Sequence, residues 1–182
     1  MKKGMAFLVA LLMMGAVACG DVTITDEPDD PGRSESGDSS GQSEEKSASV
    51  GDSITLAGNE DGLEMKVTVM TVQDPAKNLA DFSSPRKASR FVGVQLKLEN
   101  VGDTPYADAP TNSATLIDAS GQGHNATFAT LNTEFNSNLR IQPGANQVGF
   151  VPFELPKKSK LATFQFTLDS GFGPETGEWT LR

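Results

Sequence analysis

Cysteine, histidine, tryptophan and tyrosine each occur once in the 182 residues, as Cys19, His124, Trp179 and Tyr106. A single thiol rules out an internal disulfide and any zinc site built from several cysteines. A single imidazole rules out a histidine-rich metal centre, and a Ser-His-Asp relay could be built only on His124. No apolar run reaches the about 20 residues that cross a bilayer as a helix; the stretch from Met5 to Ala18 has 14. Basic residues are also scarce, 15 Lys and Arg against 24 Asp and Glu for a net charge of −9, so no nucleic acid is expected as a partner. A phosphate-cradling glycine loop and a CxxC pair are both absent from the sequence, and no cofactor is expected.

What is present starts with an address. Lys2 and Lys3 precede the apolar stretch, and small residues at Ala16 and Ala18 lead directly into Cys19 and Gly20. A positive end, a short apolar middle and small residues before a cut describe an export signal. Ala16-Val17-Ala18-Cys19 resembles the lipobox of bacterial lipoproteins, with Ala16 where Leu is commoner. The resemblance implies that residues 1–18 are removed, that the Cys19 thiol is lipidated, and that the membrane is a partner through that lipid. Two or three acyl chains hold a protein stably where one holds it weakly, because each buried CH₂ contributes about 0.8 kcal/mol. The expected location is the extracytoplasmic face of a cell membrane, with a Gram-positive envelope favoured.

Residues 20–49 are rich in Ser, Gly, Asp and Glu, with 9 acidic and 2 basic residues, no aromatic and only Val22 and Ile24 as large aliphatics. Such a composition buries too little apolar surface to offset the entropy of ordering, so 19–49 is read as the lipidated cysteine plus a solvated tether.

From Val50 onward the pattern has period two. Leu63, Met65, Val67 and Val69 share one face of a strand, with Glu64, Lys66 and Thr68 opposite; Val92, Val94, Leu96 and Leu98 repeat the arrangement, as do Phe164, Phe166 and Leu168. Further strands are expected at 53–57, 114–118, 125–129, 148–155 and 179–181. The intervening turns carry Asn59-Glu60-Asp61-Gly62, Asn100-Val101-Gly102-Asp103, Ser120-Gly121-Gln122-Gly123 and Pro143-Gly144. Many short strands without intervening helices predict an all-β, antiparallel β-sandwich over 50–182, with a barrel as the alternative. Pro152 places its strand at an edge or a bulge. Met65 and Met70 fall on opposite faces of one strand, which fits packing rather than a copper site.

Two segments carry a further likeness. Arg90 to Pro105, in which a strand ends in Asn-x-Gly, and Ile141 to Pro156, in which a Pro-Gly turn leads to an apolar strand, resemble the two signatures of a secreted bacterial immunoglobulin-like family of unknown function. Its members are similar to the mycobacterial immunoprotective extracellular protein and are often lipoproteins. The resemblance implies an immunoglobulin-like fold and an exported address; it implies no catalytic residues.

The remaining candidates are weaker. Asp103 and Asp108 could contribute to a loop-built calcium site, and Asn125-Ala126-Thr127 reads as a chance sequon behind a leader that resembles a bacterial one. Lys157, Lys158 and Lys160 read as a solvated turn. Residues 74–90 form the longest irregular stretch, with one helical turn expected at 76–82 and Phe82 as an anchor. Its Arg86, Lys87 and Arg90, together with the loop around Tyr106, are the expected contacts for an envelope protein or an anionic cell-wall polymer. The function expected is a non-enzymatic interaction or ligand-binding module. The alternatives are a metal-assisted hydrolase built on His124 and scattered carboxylates, and an envelope sensor of a small molecule or metal.

Overall fold

The structure, a computed structural model, describes residues 44–80 and 83–181. The export signal, Cys19 and the stretch up to residue 43 lie outside the described residues, as does Phe82.

Among the described residues, eleven strands make up two main sheets and a small pair. They are β1 (Glu44–Ser49), β2 (Ser53–Ala57), β3 (Glu64–Gln73), β4 (Ser89–Asn100), β5 (Tyr106–Ala107), β6 (Ala114–Asp118), β7 (Gly123–Asn125), β8 (Arg140–Ile141), β9 (Asn146–Pro156), β10 (Leu161–Thr167) and β11 (Glu175–Thr180). One sheet runs β1-β11-β10-β6-β7 and the other β2-β3-β4-β9, while β5 pairs with β8. All pairings within the two sheets are antiparallel except β1 with β11, which is parallel. The β-sandwich read from the period-two segments is the observed architecture.

The core lies where the alternating faces meet. Met65, Val67 and Val69 from β3, Leu96 and Leu98 from β4, Phe153 and Leu155 from β9, Phe164 and Phe166 from β10 and Trp179 from β11 are all completely buried. Phe153 of one sheet meets Phe164 of the other edge to face at 6.2 Å, and Phe164 lies 5.9 Å from Trp179. Aromatic pairs in this range add about 0.5–1.5 kcal/mol beyond the area they bury. The Trp179 indole N–H donates to the Asp52 carbonyl at 3.0 Å, so its one polar atom is satisfied. In β3 the register shifts between Val69 and Thr71, and Met70 at that bulge is exposed, as its position opposite Met65 required.

The Asn-x-Gly signature has a mechanical role. Buried Asn100 donates from Nδ2 to the carbonyls of Thr104 and Ile141 and accepts the Gly102 N–H at 3.1 Å, closing the turn after β4. At Gly102 a Cβ would lie 2.2 Å from the Gly62 carbonyl oxygen, so only glycine lets the two turns approach. Pro152 sits on β9, an edge strand, opposite Gly93.

Three expectations are corrected. The stretch expected as tether does not include 44–49: Glu44–Ser49 is β1, paired along its length with β11, so these residues belong to the sandwich. No periodicity announced it because the strand is held by backbone bonds and by Lys46, whose ammonium contacts Glu175 at 2.7 Å and the Thr55 carbonyl at 2.9 Å. The strand expected at 125–129 ends at Asn125, and Ala126 instead bridges to Phe153 at the edge of the opposite sheet. No helical turn forms over the described residues of 76–82; the chain is irregular there, with the Ala76 N–H donating to the Phe91 carbonyl and the Leu79 N–H to the Thr130 carbonyl.

Candidate functional site

The four residues expected to contact a partner do not form one surface. Arg90 is largely consumed internally: its guanidinium pairs with both carboxylate oxygens of Asp74 and donates to the carbonyls of Pro156 and Ser159. The Asp74 hydrogen bond raises its pKa further, against the effect of burial. Arg86 is mostly exposed and reaches Glu154 at 3.0 Å, while Lys87 is exposed. Tyr106 is 1% exposed, packed in the main core, and lies past the opposite end of β4 from Arg90. Its hydroxyl has no hydrogen-bond partner among the described residues, and burial, followed by the nearby Asp108 carboxylate, pushes its pKa well up. A buried phenol in this setting cannot serve as a surface contact.

Asp108 is likewise saturated. It accepts from the Ala109 N–H, the Ser113 hydroxyl and both the N–H and the hydroxyl of Ser170. These bonds hold the tight turn between β10 and β11, where Asp169 and Ser170 both adopt left-handed φ of 55°. Such a conformation costs a non-glycine residue roughly 1–2 kcal/mol, which the Asp108 bonds offset. Among the described residues no cluster of three or more His, Cys, Asp or Glu side chains could hold a metal ion.

His124 stands beside Asp118, Nε2 to Oδ2 at 3.1 Å, and the Ser120 hydroxyl donates to the other carboxylate oxygen. The three residue types of a hydrolytic relay are therefore neighbours, but in the wrong order. In a relay the imidazole stands between hydroxyl and carboxylate, whereas here the carboxylate stands between hydroxyl and imidazole. Ser120 thus has no base on its oxygen. The Ser120 hydroxyl first, and then the His124 ring, hold the Asp118 carboxyl well below the usual range, so the trio works as a brace for the turn after β6.

The feature that sequence reading missed lies on β9. Two irregular stretches, 76–80 and 126–137, are zipped together by Asn78, whose Oδ1 accepts the Thr130 N–H at 2.8 Å while the Leu79 N–H donates to the Thr130 carbonyl at 2.7 Å. The second stretch lies along the open edge of β9: Thr127 donates to the Pro152 carbonyl, and the Phe150 N–H donates to Thr133. Beneath it Ala76, Phe91, Ala129, Leu131 and Phe150 form a second, small apolar cluster.

Between this stretch and the 109–111 turn opens a groove of about 290 Å³, lined mainly by Pro110, Phe128, Ala129, Phe135, Phe150 and Pro152. Phe128 is 97% exposed, and Leu79 nearby is half exposed. Glu134 is the one ionisable side chain among the described residues lining the groove; the Leu131 N–H donates to its Oε1 at 3.1 Å. A signal for this site did exist in the sequence. Glycine inside a strand marks a close approach of another segment. At Gly149 a Cβ would meet the ring and backbone N of Phe135 at 2.9 Å, and at Gly93 it would meet Leu131 at 2.6 Å.

Among the described residues no helix is long and apolar enough to cross a membrane. No curated protein matches the chain. Among solved structures, MPT63, a secreted protein from Mycobacterium tuberculosis, aligns at 12% identity with a TM-score of 0.59, over 76% of this chain and 99% of its own. The Bacillus subtilis protein ycdA, provisionally assigned as a lipoprotein, aligns at 14% identity with a TM-score of 0.56, over 74% of this chain and 39% of its own. The yjhA protein of Bacillus subtilis aligns at 12% identity with a TM-score of 0.51, over 74% and 98%. At these identities the likeness is one of fold. Residues 59–175, which contain both signature segments, match the model of the family described as a domain of unknown function, DUF4352, and the chain belongs to that family.

Proposed function

We propose that this protein is a lipid-anchored, extracytoplasmic binding module of a bacterial envelope, held at the membrane through Cys19 and presenting the Phe128 groove to its ligand. The observation that carries the binding role is a phenylalanine 97% exposed at the mouth of an apolar groove. A side chain in that position gains nothing from the fold and is well suited to gain from a partner. The anchor is supported by the lipobox-like run ending at Cys19 and by the printed descriptions of the Mycobacterium tuberculosis protein as secreted and of ycdA as provisionally a lipoprotein. A non-catalytic role is favoured by a groove in which, among the described residues, no lining hydroxyl is hydrogen-bonded to the one carboxylate, and a Gram-positive cell membrane is the favoured location.

Both halves are testable in cells. Cys19→Ala should move the protein from the membrane fraction to the soluble one, and unchanged retention would sink the anchor. A photoreactive residue at position 128 should form a discrete adduct on intact cells that is absent when the probe replaces Lys158, exposed and outside the groove. The same adduct should disappear on Phe135→Ala; equal labelling at both positions would overturn the binding role.

A further inference from the structure

The groove has a charge pattern that narrows its ligand, provided the binding role above holds. Three phenylalanines, Phe128, Phe135 and Phe150, line it together with Glu134, and among the described residues no Lys, Arg or His does. The Glu134 carboxylate has one oxygen bonded to the Leu131 N–H and makes no ion pair among the described residues. Its backbone is fixed by a bridge to Phe150 on β9, so the carboxylate is delivered to the aromatic lining by the sheet edge rather than left to a free loop. Phenyl faces carry negative quadrupole density, which attracts a cation within about 6 Å, and an ammonium bearing methyl or methylene groups satisfies apolar walls and carboxylate together. An anion or a neutral polar molecule would leave Glu134 repelled or unpaired.

We propose that this groove is a binding site for a small soluble organic cation, a quaternary or primary ammonium on a short apolar body. Its volume of about 290 Å³ suits a ligand at the small end of the range for pockets, which runs upward from roughly 300 Å³. Phe128 and Phe135 supply the aromatic faces, Glu134 the counter-charge, and Gly149 the space that seats Phe135.

The test is titration calorimetry of the purified full chain with choline and with its uncharged carbon isostere, 3,3-dimethylbutan-1-ol. Choline should bind at least about fivefold more tightly than the isostere, because only the cation engages carboxylate and ring faces. Glu134→Gln should remove that preference, and Phe128→Ala should weaken choline binding about fivefold or more, while neither changes the melting temperature of these exposed positions. Equal affinity for the two probes, or full choline binding by Glu134→Gln, would overturn the assignment and leave a generic apolar groove. No heat with either probe at millimolar concentration would overturn it too, while leaving the adduct at position 128 to decide the broader binding role. Competition by an equal excess of sodium chloride that abolishes the choline signal identifies a nonspecific ionic contact and likewise sinks the proposal.

Discussion

Single residues in this protein are informative where two demands meet at one atom. Asp118 satisfies Ser120 by side chain and backbone, Gln122 by backbone and His124 by its ring, all while only 5% exposed. These donors favour the charged carboxylate, so its folded pKa lies below the unfolded value of about 3.9. A depressed carboxyl pKa contributes stability that is fully present above the unfolded value and fades as the pH falls through the folded one. Asp118→Asn should therefore lower the melting temperature by a few degrees at pH 7, and the gap to the parent should close as both are acidified towards pH 2. Thermal melts across that range are the measurement, and a gap independent of pH would place the brace in shape rather than charge. Spacing in the sequence put His124 beside a glycine turn but gave no hint of Asp118, because their contact depends on β6 and β7 pairing so that Leu116 faces His124.

At the scale of elements, what sequence reading recovered and what it missed divide along a physical line. β3, β4 and β10 bury one face against the opposite sheet, and that leaves a period-two record in their residues. β4 departs from strict alternation at Phe91 to Val94, all buried, because its second face is covered there by the 126–137 stretch. β1 left no record, since its stability comes from backbone pairing with β11 and from Lys46, neither of which needs apolar residues. The groove left only the strand glycines Gly93 and Gly149 as a trace: Phe128 and Phe135 come from an irregular stretch, where no repeat distinguishes a ligand contact from a solvated loop.

The contribution of β1 can be weighed. Its ion pair is partly exposed and contributes no more than about 1 kcal/mol, even though the Lys46 hydrogen bond helps hold Glu175 below its usual pKa against the effect of burial. The pairing with β11 and the packing of Ala48 on the core add about as much again. A variant lacking residues 44–49 should thus be destabilised by about 1–2 kcal/mol. It should also self-associate at high concentration, because β11 would then present an open edge to a second copy. Light scattering after size exclusion, alongside thermal melts, reads both effects, and a monomer with parental stability would show that β1 is dispensable.

On the scale of the whole molecule the question is whether residues 44–49 belong to the expected spacer or to the sandwich, since that fixes what would be released by a cut in the spacer. Composition alone assigns 19–49 to the tether, whereas strand pairing assigns 44–49 to the sandwich. Residues 20–49 contain two tryptic sites, Arg33 outside the disputed segment and Lys46 within it. Proteases cleave extended, unpaired chain, and backbone held in a sheet is cut only through opening. Lys46 is further occupied by Glu175 and Thr55. Brief trypsin treatment of membranes carrying the protein should therefore cut after Arg33 and release a fragment starting at Ser34, with cleavage after Lys46 more than about tenfold slower. Intact-mass analysis of the supernatant distinguishes the two products. A fragment starting at Ser47 at comparable rate would return 44–49 to the tether, and a Ser34 fragment retained on the membrane would mean that something other than Cys19 holds the protein there.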